Sequence, residues 1–141
     1  EDTAVVILKF SNGALGIIEA TTAIRPKDLE GSLSIMGENG SVEIGGFAVN
    51  EMKTWNFSKQ IDGDDQVIEK FSVNPPNVYG FGHQAYYEHV VDCLINDNAQ
   101  LVDGLEGKKS LSLINAIYES IESGKEVYLD SSPKFSKLGL S

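Results

Sequence analysis

The hydrophobic period of this chain changes once, close to Pro75-Pro76, and that switch confines it to few folds. Before it, apolar residues alternate or run in short stretches rich in β-branched and aromatic side chains. After it, from Phe81 to Gly124, they recur every three or four residues. Period 2 marks a strand with one buried face and period 3.6 a helix with a buried stripe. Strands first and helices second read as α+β.

The strands are expected at Thr3–Phe10 and Ala14–Ile24, joined by Ser11-Asn12-Gly13, then at Ser32–Met36, Val42–Ile44, Phe47–Asn50, Lys53–Phe57 and Val67–Phe71. Asn-Gly between two apolar runs is a strong hairpin signal, because both residues tolerate positive φ. The first two strands are apolar on both faces at their centres (Val5 to Leu8, then Leu15 to Ile18), as central strands are. Arg25-Pro26-Lys27-Asp28 reads as a loop, and Gly37-Glu38-Asn39-Gly40 as a turn between strands.

Asn74-Pro75-Pro76-Asn77 forms an extended link, since proline disfavours helix in the residue before it. A helix is expected over Phe81–Asn96, with Tyr87, Val90, Val91, Leu94 and Ile95 on one face. A second begins at Asp103, which with Glu106 makes a capping-box-like pair. It buries Leu111, Ile114, Ile117, Tyr118 and Ile121 and ends at Gly124. Glu126–Leu129 reads as a last strand. The expected architecture is thus one large, mostly antiparallel open sheet with two long helices on one face. Its other face is left for oligomerisation, because two helices cannot cover six or more strands on both sides.

At 141 residues the chain has the size of one domain, long enough to bury roughly two-thirds of its unfolded surface. Its 41% hydrophobic and 23% charged content rules out a disordered or fibrous class. Lys plus Arg number 11 against 21 Asp plus Glu, a net charge of −10. Such a field repels phosphate polymers and anionic lipid surfaces, which argues against nucleic-acid or membrane partners. No apolar stretch approaches the ~20 residues of a membrane span. Cys93 is the single cysteine and cannot form an internal disulfide, so a reducing, cytoplasmic location is expected.

Catalytic parts are sparse. No glycine-rich turn leads from a strand into a helix, as a dinucleotide or phosphate cradle requires. One cysteine and two histidines are too few for a zinc site. His89 falls at the margin of the helix stripe. His83 lies in Tyr79-Gly80-Phe81-Gly82-His83 at a helix start, with Tyr86 and Tyr87 close behind. These three could bind a sugar, carboxylate or phosphate at the free amides of the first turn, or could simply cap and pack it. Arg25, the only arginine, is suited to bidentate contact with carboxylate or phosphate, or to a surface ion pair. Asp62–Asp65 lacks the spacing of a calcium loop and reads as a solvated hairpin tip.

Three segments in order carry a resemblance. They are Glu1-Asp2-Thr3-Ala4-Val5-Val6-Ile7-Leu8-Lys9-Phe10-Ser11-Asn12-Gly13-Ala14-Leu15-Gly16, then Leu33-Ser34-Ile35-Met36-Gly37-Glu38-Asn39-Gly40-Ser41, then Leu101-Val102-Asp103-Gly104 through Ser110-Leu111 and Ala116-Ile117-Tyr118-Glu119-Ser120 to Gly124-Lys125-Glu126-Val127. The set resembles the C-terminal domain of the glucose–fructose oxidoreductase, inositol dehydrogenase and rhizopine-catabolism (Gfo/Idh/MocA) family. Gly82-His83 with Tyr86-Tyr87 is similar to the branch that oxidises nucleotide-sugar uronates for surface polysaccharide synthesis.

The resemblance implies a single domain over 1–141 of an NAD- or NADP-dependent dehydrogenase of a sugar or nucleotide-sugar. This domain would supply substrate contacts, with His83, Arg25, Tyr86 and Tyr87 as candidates, and a homodimer or homotetramer interface. The cofactor-binding Rossmann domain and catalytic residues would lie outside the chain, which opens directly on a strand as an excised domain would. A fragment of this kind is expected to be inactive alone. The competing reading is a non-enzymatic carbohydrate-binding or oligomerisation module. Self-association is expected either way: sedimentation at micromolar concentration should give a dimer or larger species, and a monomer throughout would remove the sheet-face interface.

Overall fold

A computed structural model of the chain describes residues 2–27, 29–77 and 79–129. Glu1, and Asp28 of the Arg25–Asp28 loop, lie outside the described residues. The element order is β1 (Thr3–Lys9), β2 (Leu15–Thr21), β3 (Leu33–Gly37), β4 (Gly40–Gly45), β5 (Glu51–Phe57), α1 (Val67–Lys70), α2 (Gly82–Asn96) and α3 (Gly104–Ser123). The chain divides inside α2 into two compact units, Thr3–Ala20 with Cys93 onward, and Thr21–Asp92.

In the first unit β1 and β2 pair as an antiparallel hairpin. Its tip is built by Asn12 and Gly13. The Asn12 side chain accepts from the Ala14 amide at 3.0 Å, the Gly13 amide donates to Phe10 at 2.9 Å, and Gly13 takes φ 90°, where a β-carbon would clash with its own backbone. Side chains alternate between half-buried and exposed along both strands. The exposed side is apolar: Val5, Ile7, Leu15 and Ile17 keep 67%, 77%, 73% and 70% of their surface in contact with solvent.

Asp103 caps α3, its carboxylate accepting from the Leu105 and Glu106 amides, each at 2.9 Å. Glu106 supplies its own carboxylate to Lys109 three residues on. Gly124, at φ 64°, closes the helix by donating its amide to Ser120 at 2.9 Å.

In the second unit β3, β4 and β5 form an antiparallel meander in that order. Gly37 pairs with Gly40 across a two-residue turn, and a bulge after Glu43 shifts the β4–β5 register so that Ile44 faces Met52. A β-carbon on Gly40 would collide with the Asn56 carbonyl, so only glycine fits there. Beyond β5 the chain makes a short 3₁₀ turn at Asp64–Gln66, then α1, and returns to β5. Met52 donates its amide to Phe71 at 3.2 Å, and Ser72 its hydroxyl to the Met52 carbonyl at 3.2 Å.

The α+β class and the antiparallel pairing agree with the sequence reading. The strands, however, are shared between a two-stranded and a three-stranded sheet rather than joined in one broad sheet. Local alternation defines a strand but not its neighbour, which depends on contacts distant in sequence. Three expected strands are absent. Phe47–Asn50 is a turn, with the Val49 amide donating to Gly46 at 3.1 Å. Val67–Phe71 is the short helix α1, and Glu126–Leu129 is irregular.

The expected core is also redistributed. Among the described residues the buried apolar side chains are Cys93 and Ala116, while Tyr87, Val91, Leu94 and Ile95 of α2 and Leu111, Ile114 and Ile121 of α3 stay exposed. Small side chains permit the closest approach, and the wide apolar stripes beside them are left uncovered.

The Asp62–Asp65 turn is no free hairpin tip. Asp64 accepts from the Trp55 indole at 2.9 Å and from the Ile61 amide at 2.8 Å. The Trp55 hydrogen bond first, and the Ile61 amide second, hold its carboxyl below the ordinary value of 3.8. A depressed carboxylate stabilises the fold above its unfolded pKa, and that contribution disappears as pH falls through the folded value. Trp55 is the only tryptophan, so its emission reports this contact. Emission should therefore hold steady from neutral pH down to about pH 4 and shift only below that. Asp64→Ala should show the shifted emission already at neutral pH; unchanged emission in that variant would remove the link.

Candidate functional site

The Thr21–Asp92 unit contains a cavity of about 820 Å³, within the 300–1,000 Å³ range common for small-molecule sites. Its construction begins at Asn77. The Asn77 side chain accepts from the Tyr79 amide at 3.0 Å and its carbonyl from the Gly80 amide at 3.2 Å. Gly80 takes φ 66°, reversing the chain so that α2 starts at Gly82. His83, Tyr86 and Tyr87 then reach the cavity from the first turns of α2.

The His83 ring stands at 89° to Tyr79, with centroids 5.8 Å apart, and its Nδ1 lies 2.9 Å from the Tyr79 carbonyl. A carbonyl only accepts, so Nδ1 carries the hydrogen of this bond. Nε2 is left as the ring's second polar position: an acceptor in neutral imidazole, a donor once protonated. Tyr86 and Tyr87 pack edge to face at 6.0 Å.

The opposite wall comes from Ile44 of β4, Met52 of β5 and the Ala48–Asn50 turn. Asn50 holds this turn against the returning chain. Its amide nitrogen donates to the Val73 carbonyl at 2.9 Å and to Asn74 Oδ1 at 3.0 Å, while its oxygen accepts from the Ala48 amide at 3.3 Å. Behind the turn, Glu30 accepts from Lys53 at 2.8 and 2.9 Å and from the Gly46 amide at 2.8 Å. The Lys53 hydrogen bond first, and the Gly46 amide second, hold Glu30 below the usual carboxylate range; Lys53 is raised in turn by Glu30. A β-carbon on Gly45 would come within 2.5 Å of the Lys53 side chain, so glycine there makes room for the pair.

Lys70 and Phe71 complete the rim, with the Lys70 ammonium 5.3 Å from the Phe71 ring centroid. No Asp or Glu is among the residues lining the cavity, although the chain carries 21 of them. Among the lining residues the one formally charged side chain is thus the cation Lys70.

Of the four residues singled out in the sequence, His83, Tyr86 and Tyr87 come together here. Arg25 does not line the cavity; its Nη1 donates to the carbonyls of Thr22 at 3.0 Å and Ile24 at 2.8 Å. Sequence reasoning passed over Lys70, Phe71 and Asn50, because it placed all three in strands. The Gly45-Gly46 pair just before Phe47 is the signal that could have marked the segment ending at Asn50 as a turn. Among the described residues no three His, Cys, Asp or Glu side chains gather as a metal site would need, and no helix is long and apolar enough to cross a membrane.

Residues 1–129 match the C-terminal α/β domain of the Gfo/Idh/MocA oxidoreductase family, and the chain belongs to that family. Two solved structures are particularly similar. The WlbA dehydrogenase from Bordetella pertussis, in complex with NADH and UDP-GlcNAcA, is 43% identical with a TM-score of 0.80, over 89% of this chain and 36% of that one. The WlbA dehydrogenase from Chromobacterium violaceum, with the same two ligands, is 42% identical with a TM-score of 0.75, over 89% and 34%. The chain thus spans about a third of the length of each. No curated protein matches the sequence.

Proposed function

We propose that this chain is the substrate and assembly domain of a cytoplasmic NAD(P)-dependent dehydrogenase that oxidises a UDP-linked amino-sugar uronate for surface polysaccharide synthesis. One observation carries the reading. The cavity collects His83, Tyr86 and Tyr87 in a chain 43% identical to a dehydrogenase holding NADH and UDP-GlcNAcA. In this reading Nε2 of His83 accepts from a sugar hydroxyl or, when protonated, donates to the ligand's carboxylate or phosphate. Arg25, outside the cavity, retains guanidinium donors beyond Nη1 for the same anionic groups.

The described residues do not fit a dinucleotide. The glycine turns at Gly13, Gly37–Gly40 and Gly45–Gly46 join strand to strand or strand to turn. Those at Gly80–Gly82 and Gly104–Gly107 open helices but follow irregular chain. A strand feeding directly into a helix N-terminus is what cradles a pyrophosphate. The nicotinamide cofactor, with the groups that move the proton, is accordingly assigned to a separate Rossmann domain. Assembly is assigned to the bare hairpin face of Val5, Ile7, Leu15 and Ile17, where pairing with a second copy would remove apolar surface from water.

The full-length protein should reduce NAD or NADP when given UDP-GlcNAcA, followed by cofactor absorbance, while the 141-residue chain alone should not. Failure of the full-length protein with every nucleotide-sugar uronate tried would return the domain to a non-enzymatic binding module. His83→Ala should raise KM about tenfold or more, as loss of a charge-assisted hydrogen bond does, with a smaller change in kcat. Arg25→Ala should raise KM while leaving Tm nearly unchanged; an unaltered KM would take Arg25 out of the site.

A further inference from the structure

We infer that Glu30 is a positioning residue for this cavity: it lines none of it, yet it fixes the Gly46–Asn50 turn that forms one wall and so sets how tightly the ligand is held. The inference rests on the reading of the cavity as the substrate site and deepens it.

The wall is built on an unfavourable backbone. Ala48, Val49 and Asn50 all line the cavity, and Val49 stands at φ 53°. A β-branched side chain in the left-handed region crowds its own backbone, and it keeps that conformation only where its surroundings hold it there. Two bonds within the turn do so. The Val49 amide donates to the Gly46 carbonyl at 3.1 Å, and the Ala48 amide to Asn50 Oδ1 at 3.3 Å. Both are longer than the commonest separation of about 2.9–3.0 Å, so the turn needs support from outside.

That support comes from the connection between β2 and β3, at two points. Glu30 Oε2 accepts from the Gly46 amide at 2.8 Å, so the residue that opens the turn is bonded through its amide to Glu30 and through its carbonyl to Val49. Gly31 passes so close to Val49 that a β-carbon there would lie 2.7 Å from Val49 Cγ2.

Glu30 is in turn fastened to the sheet. Met52 pairs with Ile44 and Thr54 with Glu43, which makes Lys53 the extra residue of the β4–β5 bulge, and a bulge re-aims the side chain it carries. The Lys53 ammonium meets both Glu30 oxygens, at 2.8 and 2.9 Å. The contacts therefore run from β5 through Lys53, Glu30 and Gly46 to Val49, and of these four residues only Val49 lines the cavity. Lys53 and Glu30 keep 35% and 30% of their side-chain surface exposed. An ion pair this accessible to water adds little stability. What matters to the ligand is the oxygen that Glu30 gives to Gly46.

The test is steady-state kinetics on the full-length protein with UDP-GlcNAcA and NAD, alongside thermal unfolding. Glu30→Ala should raise KM about tenfold and leave kcat within about twofold, because a displaced wall weakens ground state and transition state alike. A role confined to stability would instead lower Tm and kcat at unchanged KM. Glu30→Gln combined with Lys53→Met keeps an oxygen for the Gly46 amide while abolishing the ion pair, and should leave KM within about threefold of the parent. Gly31→Ala, which presses on Val49 from the other side, should raise KM as Glu30→Ala does, and it decides the matter if Glu30→Ala does not fold.

An unchanged KM in Glu30→Ala would overturn the role of Glu30 and leave the dehydrogenase reading intact. So would a KM raised as far in the paired variant as in Glu30→Ala. Full-length protein that neither binds nor turns over UDP-GlcNAcA would instead bring down the substrate-site reading, and this inference with it.

Discussion

The edge of a sheet is the constraint around which the Thr21–Asp92 unit is organised. The outer edge of β5 offers unpaired amides and carbonyls, and an open edge invites pairing with another chain. Here the polypeptide closes its own edge. After the 3₁₀ turn and α1 it comes back so that Phe71 and Ser72 bond to Met52, and Val73 and Asn74 are caught by Asn50. The proline pair and the Asn77–Gly80 turn then carry the chain away and launch α2. The cavity is the space left between this returning segment, the Gly46–Asn50 turn and the first turns of the helix. Its shape follows from backbone bonds that the sheet would otherwise have left unsatisfied.

Charge is distributed with the same economy. Several carboxylates of this acidic chain have structural partners: Asp64 with Trp55 and Ile61, Glu30 with Lys53 and Gly46, Asp103 with the first amides of α3. Each sits where an ionised oxygen satisfies a backbone or side-chain donor. None lines the cavity, where Lys70 and His83 face space bounded mostly by apolar and aromatic groups. The cavity lining is thus free of carboxylates in a chain of net charge −10, and charges farther from it are screened by salt.

Much of the local structure was legible in the residues. Asn12-Gly13 marked the first hairpin, Gly37–Gly40 the second, and Asp103 and Gly124 bracketed α3 to the residue. These signals are short-range: each is a side chain or a φ value acting on its own neighbours. Lys70 and Phe71 were read as strand because Val67, Ile68 and Phe71 are β-formers, yet a single turn of helix formed there with little propensity behind it. The contact of Phe71 and Ser72 with Met52, about twenty residues earlier, outweighed the local preference.

The sequence by itself determined the α+β class, the turn and cap positions, and the clustering of His83, Tyr86 and Tyr87 on the opening turns of α2. All of these depend on residues within one helical turn or one hairpin loop of each other. Only the tertiary structure decided that the strands form two sheets, that Asn50 and Lys70 join the aromatic cluster while Arg25 stays on its own loop, and that Asp64 grips Trp55. Those outcomes rest on which distant segments meet, and the free energy of such meetings is written in no local pattern.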